Sequence, residues 1–266
     1  MEKKYKLTGE SIEVKGKTLY RIEALKDFGE IKKGDKGGFI ESENNLAHKG
    51  NAWVSDDACV YDNARVSGNA HIYGEAWVYG SACVYGNACV YGEASVFDNA
   101  CVYNNASVSG YAQVYDNAIV YGDAWLYDYA FVYGNARVSD NARVCSNARV
   151  YGDALVYDNA RVSDNSRVCG NARVYGDALV RGDACVCGDA EISTDADYIV
   201  FKNWWSSGRY FTWTRSNNMW SVGCFYGTGD ELVKKAYKDS SKSGRQYERI
   251  VKYVEETLKE EENGGQ

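Results

Sequence analysis

Residues 58–75 read Ala58-Cys59-Val60-Tyr61-Asp62-Asn63, Ala64-Arg65-Val66-Ser67-Gly68-Asn69, Ala70-His71-Ile72-Tyr73-Gly74-Glu75. One hexad is written three times: alanine, a variable residue, Val or Ile, a second variable residue, then a polar or glycine-containing pair. Outward from this stretch, alanine recurs every six residues from Ala52 to Ala196, with Ser166 the only exception. The Val, Ile or Leu two places later forms a series of 24 from Val54 to Ile192, without insertion or deletion. A period of six fits neither an α-helix nor a heptad. It fits a short strand followed by a sharp corner. Alternation points the Val inward and its two neighbours outward. The Gly-Asn, Asp-Asn and Gly-Asp pairs tolerate left-handed backbone at the corners. Alanine fills the inside of each corner, where the walls approach too closely for a larger side chain. The pattern is that of a parallel β-helix.

Composition agrees. The chain has 266 residues and no proline, as expected where backbone N–H groups are needed for ladders between stacked coils. No window approaches 18 consecutive apolar residues, which excludes a membrane-spanning helix. The N-terminus lacks the charged and apolar regions of a signal peptide, so the expected location is the cytoplasm, with cysteines as free thiols. Nine cysteines and two histidines give no metal-ligand spacing. Cys83 with Cys101, and Cys169 with Cys187, are expected to stack within disulfide range, Cys185 lying near the second pair. Neither a metal nor a cofactor is expected. Residues 51–196 carry 8 Arg, no Lys and 18 acidic residues. An acidic prism weighs against nucleic acid as a partner.

The hexads resemble the hexapeptide-repeat, left-handed parallel β-helix, in which three hexapeptides close a triangular coil of 18 residues. The resemblance covers residues 52–196 and implies 8 coils and the left hand. Ala24-Leu25-Lys26-Asp27-Phe28, Gly34-Asp35-Lys36-Gly37-Gly38-Phe39 and Gly50-Asn51-Ala52-Trp53-Val54 are similar to the leading segment of YdcK-like β-helix proteins and of related chains in phages and prophages. The expected fold is therefore an all-β solenoid, a left-handed parallel β-helix of about 8 coils. An N-terminal β-hairpin cap (1–50) precedes it, and a small C-terminal α+β domain (197–266) follows. In the cap, Ser11–Val14 and Thr18–Ile22 flank a Lys15-Gly16-Lys17 turn. In the C-terminal domain, alternating aromatic runs predict an antiparallel sheet. Two helices follow, the first opened by a Thr228-to-Glu231 capping box.

Outward positions on one face recur every 18 residues. One column reads Tyr61, Tyr79, Phe97, Tyr115, Tyr133 and Tyr151, followed by Cys169 and Cys187; beside it run Trp77 and Phe131. The other faces are interrupted by serine. Six stacked aromatics predict a flat apolar ladder suited to self-association. The competing reading is that stacked tyrosines stabilise the prism and bind nothing. A second concentration, Trp204, Trp205, Arg209, Tyr210, Trp213, Arg215 and Trp220, has the composition of a partner-binding surface or a nucleotide platform. Its competing reading is a small core. Strand alternation sets Tyr210 and Thr212 on one face and Phe211 and Trp213 on the other, one of which is expected to be exposed.

Hexapeptide-repeat acyltransferases imply an enzymatic alternative, with a histidine as general base. His71 is the one candidate inside the repeat, and no loop breaks the coils to build a coenzyme A site. The leading expectation is a non-enzymatic, homo-oligomeric scaffold with a C-terminal recognition domain. In a phage setting it acts on a host protein in the bacterial cytoplasm or is associated with the particle. The alternatives are an acyltransferase-like enzyme and a protein that sequesters a small ligand such as a nucleotide.

Overall fold

The computed structural model describes residues 2–264, with side chains through 261. Each hexad supplies a two-residue strand, 24 of them from Trp53–Val54 to Glu191–Ile192. Every strand pairs in parallel with the one 18 residues on: Cys59 with Trp77, Val60 with Val78, Arg65 with Cys83, Trp53 with His71. Three hexads therefore make one turn, and three parallel sheets form the walls. Inside, the Ala and Val columns are fully buried from Ala52 to Ile192. Corners take positive φ at glycine, as at Gly92 (71°), or at Asp, Asn and Ser, as at Asp98 (55°), Asn104 (60°) and Ser146 (57°). An Asp at a corner has a second use. The Asp56, Asp62, Asp158 and Asp164 carboxylates accept the corner N–H of the next coil at 2.9–3.1 Å. One place further on, amide ladders such as Asn69 to Asn87 to Asn105 run up the corner and end on Asp123, which only accepts.

The solenoid has about nine turns rather than eight. Lys36–Ile40 pairs in parallel with Cys59–Val60, and Leu46 bridges to Val66, so an irregular turn precedes the first hexad. Ahead of it, Tyr5–Val14 and Lys17–Ala24 form the expected hairpin, turned by Lys15 and Gly16 at φ 50° and 79°. Both central residues at positive φ match the twist of the flanking strands.

The ladder is polar along the solenoid axis, and this dictates what each end requires. Each N–H points to a carbonyl of the following turn, as in Trp53 N–H to Ala70 O and Arg173 N–H to Ala190 O. The first turn is thus left with open carbonyls and the last with open N–H groups. The N-terminal segment supplies donors: the Lys4 ammonium bonds Ala52 O (2.7 Å) and Gly50 O (3.4 Å), and the Tyr5 hydroxyl bonds Leu46 O (2.7 Å). Lys4 is fully buried, with the Phe28 ring 5.0 Å from its charge. Burial, with the Lys26 charge, lowers its pKa to about 8. The C-terminal segment supplies acceptors. Asp195 Oδ1 takes Leu179 N–H, the Tyr198 hydroxyl takes Arg181 N–H, Thr212 Oγ1 takes Cys185 N–H, and Ser216 Oγ takes Glu191 N–H.

Beyond the last turn, Tyr198–Lys202, Tyr210–Thr214, Met219–Val222 and Phe225–Gly227 form one antiparallel sheet. Helices α1 (Gly229–Asp239) and α2 (Ser241–Gly264) follow. Thr228 caps α1, its backbone N–H bonding Glu231 Oε2 at 2.9 Å and its hydroxyl accepting from Glu231 N–H at 3.3 Å. Both faces of the Tyr210–Thr214 strand are covered, contrary to the expectation of one exposed set. Phe211 and Trp213 join the core shared with the helices, while Thr212, on the other face, reaches the backbone of the last coil. Only Tyr210, at the strand end, is exposed.

Candidate functional site

The aromatic column forms as one stack. Ring centroids from Tyr61 to Tyr79, Phe97, Tyr115, Tyr133 and Tyr151 are 4.9–5.0 Å apart, with planes within 5° of parallel. The strand spacing imposes this separation, which is wider than an optimal offset stack, so the rings lie flush along the wall. Its members are not equivalent. The hairpin folds over the near end: Val14, Leu19 and Phe39 pack with Tyr61, which is buried, and Ile12 lies against the same cluster as Trp77 and Tyr79. The Lys15 ammonium sits 4.6 Å from the centre of the Tyr79 ring. Tyr61 is therefore core in this chain, its hydroxyl buried without a partner among the described residues. The partly exposed stretch runs from Tyr79 to Tyr151. Burial raises the pKa of Tyr79, Tyr115 and Tyr151, so these hydroxyls stay neutral. Phe131, in the flanking column, lies beneath the Arg149 guanidinium at 5.5 Å.

Two aromatics missed in the sequence reading stand out at the neighbouring corner. Tyr111 and Tyr129 stack at 4.8 Å and are 44% and 52% exposed, more open than any ring of the ladder. They occupy the second corner position, which elsewhere in the hexads is Asn, Asp, Glu or Ser. That departure was the available signal. With Trp125, Tyr127, Phe131 and Tyr133 they carry outward-facing aromatics around most of one coil.

The C-terminal set divides. Trp205, Trp213 and Trp220 are buried in the domain core with Phe211, Leu232, Tyr247 and Val251. Their indoles serve packing: Trp213 Nε1 donates to Asn218 at 2.8 Å, and Trp205 packs edge-on against Tyr247. Trp204 is 73% exposed, Tyr210 lies near the Lys202 ammonium, and Arg215 is tied to Glu261 at 2.8 Å. The seven residues do not converge on one surface. Arg209 and Tyr210 instead line a cleft of ≈ 430 Å³ at the seam with the solenoid, opposite Asn165, Arg167, Asp183 and Cys185.

Cys169 and Cys187 are joined by a disulfide, which corrects the expectation of free thiols throughout. They occupy the same column in adjacent coils, with Cα atoms 4.6 Å apart. Cys83 and Cys101, stacked on another wall, remain free.

His71 lies on a flat wall between Trp53 and Cys89. It is partly exposed and makes no side-chain hydrogen bond or ion pair among the described residues, so no acid orients it as a base. The other histidine, His48, stacks on Tyr5 at 4.4 Å, accepts Lys4 N–H at Nδ1 and faces Glu43 with Nε2. It serves the N-terminal cap.

The coils carry the YdcK beta solenoid repeat. The model of that repeat family matches residues 58–74, 112–128, 130–146, 148–164, 156–170 and 166–182. The matches beginning at residues 112, 130, 148 and 166 are spaced by one turn of strand pairing, so a YdcK repeat corresponds to one triangular turn. No curated protein matches the chain. Among the described residues, no helix is long and apolar enough to cross a membrane.

Proposed function

We propose that this YdcK-repeat solenoid is a non-catalytic scaffold that self-associates in the cytoplasm through the wall bearing Phe97, Tyr115, Tyr133 and Tyr151. In this reading, its C-terminal domain presents a recognition surface to a protein partner. The observation that carries the reading is the asymmetry along the ladder. Where the chain has apolar side chains of its own to spare, at Tyr61, it buries the ladder under the hairpin. Further along, no segment covers it. Rigid aromatic rings lose little entropy on burial and are favoured at the centres of interfaces. Trp204, Arg209 and Tyr210 form the exposed part of the recognition surface. The similarity of the leading segment to phage and prophage chains makes a host protein the first partner class to test.

The test is the double substitution Phe97→Glu with Tyr115→Glu. Val96 and Val114, inside these positions, remain buried, so the triangular core is untouched. The two carboxylates replace rings 5.0 Å apart. Their mutual repulsion is about 1 kcal/mol in water and roughly 3 kcal/mol in a half-desolvated contact. Light scattering is expected to show the mass fall to that of one 29.6 kDa chain, with the far-ultraviolet spectrum unchanged. A wild-type protein that is already monomeric, or a variant with unaltered oligomer mass, overturns the self-association reading.

A further inference from the structure

The aromatic ladder ends in sulfur. After Tyr151 its next two positions are Cys169 and Cys187, and the flanking column ends in Cys185. The three Sγ atoms lie within 4.8 Å of one another, Cys185 and Cys187 at 3.5 Å. The two final coils of a rigid wall hold them. Cys169 N–H bonds Val186 O in the regular ladder, and Cys185 N–H is fixed by Thr212 of the C-terminal domain. We propose that, once the Cys169–Cys187 disulfide is reduced, these three cysteines bind one thiophilic divalent cation of the zinc and cadmium class at the seam between solenoid and C-terminal domain.

Three observations support it. First, thiolates around zinc at about 2.3 Å stand roughly 3.8–4.0 Å from each other, which is the scale of this triangle. Second, the charge balances. Three thiolates and a divalent cation leave one negative charge. Arg167 is the ladder neighbour of Cys185, Arg149 is the next along, and Arg209 faces the same cleft from the C-terminal domain. Third, the site is open on one side: Cys185 lines the ≈ 430 Å³ cleft, leaving room for water as a fourth ligand. The chemistry is reduction followed by exchange of protons for metal. A phosphine and one water convert the disulfide into two thiols and a phosphine oxide. The three thiols then take up the cation as thiolates and release three protons. Oxidation of the pair removes two of the three ligands, so the site exists only in the reduced protein. The inference is independent of the self-association reading, because the cysteines lie beyond the last ring of the ladder.

The experiment titrates cadmium into the full-length protein, reduced with a phosphine, and follows the ultraviolet thiolate-to-cadmium absorption. Zinc competition and circular dichroism accompany it. One cation per chain is expected, with proton release by calorimetry in two buffers. Cys185→Ser is expected to weaken binding at least tenfold without changing the circular dichroism or the Cys169–Cys187 disulfide of the unreduced protein. Cys83→Ser with Cys101→Ser is expected to leave binding intact, and the unreduced wild type to show none of it. Equal binding by Cys185→Ser, absorption that disappears with Cys83 and Cys101 instead, or no binding by the reduced wild type overturns the proposal.

Discussion

Asp158 performs two tasks at one corner, and substitution separates them. Its backbone is left-handed at φ 57°, and its Oδ2 accepts Gly176 N–H of the next coil at 3.0 Å. Asn keeps both properties, a tolerated left-handed conformation and an acceptor oxygen, so Asp158→Asn is expected to cost no more than about 0.5 kcal/mol. Asp158→Gly keeps the backbone but loses the acceptor. The freed N–H lies at an exposed corner where water replaces the carboxylate, a loss of about 0.5–1 kcal/mol. The added freedom of the unfolded chain costs a further ~0.4–1 kcal/mol. Asp158→Ala loses the acceptor and adds the left-handed penalty of a Cβ, about 1–2 kcal/mol. Its total is roughly 1.5–3 kcal/mol, which makes the order Asn, Gly, Ala. Urea midpoints at one pH provide the ranking, and hydrogen exchange at the Gly176 amide provides an independent local readout. Exchange should quicken in the Gly and Ala variants and not in the Asn variant. An Ala variant as stable as the Asn variant would refute the left-handed cost. A Gly variant with wild-type exchange at Gly176 would refute the carboxylate cap.

Two further predictions concern the ends of the solenoid. Between pH 8 and 10.5 the folded state has released the Lys4 proton while the unfolded chain still holds it, so wild-type stability should rise across that window by up to roughly 3 kcal/mol. Lys4→Met should lack this rise whatever its absolute stability, and parallel stability curves at pH 7.5 and 9.5 would contradict the assignment. At the far end, a Cβ on Gly188 would meet the Tyr226 hydroxyl, while one on Gly182, at nearly the same φ, meets nothing. Gly188→Ala should therefore cost more than Gly182→Ala, by about 1 kcal/mol or more from overpacking. The excess should vanish when Tyr226 is also changed to Ser, and equal costs in the Tyr226 background would show that the contact does not hold the C-terminal sheet against the last coil.

The residues of the walls were legible because their placement follows from counting. Each hexad carries its own strand and corner, so the 18-residue interval alone set the aromatic column, the Cys169–Cys187 pair and the neighbours of His71. Tyr111 and Tyr129 were equally legible as departures from a polar corner position. The C-terminal domain was legible as elements, including the Thr228 cap, but not as surfaces. Whether Trp213 faces helices or solvent depends on what covers each side of the sheet, and both sides turned out to be covered.

The sequence by itself determined a triangular solenoid, because a repeat without insertions leaves each turn one way to close over alanine and valine. Tertiary structure decided everything at its ends. Nothing local says that the hairpin lies over Tyr61, that Lys4 closes the first turn, or that Thr212 closes the last. Those contacts follow from the polarity of the ladder, which leaves carbonyls open at one end and N–H groups at the other. Segments distant in sequence must satisfy them, since a buried backbone group without a partner costs more than a short sequence motif supplies.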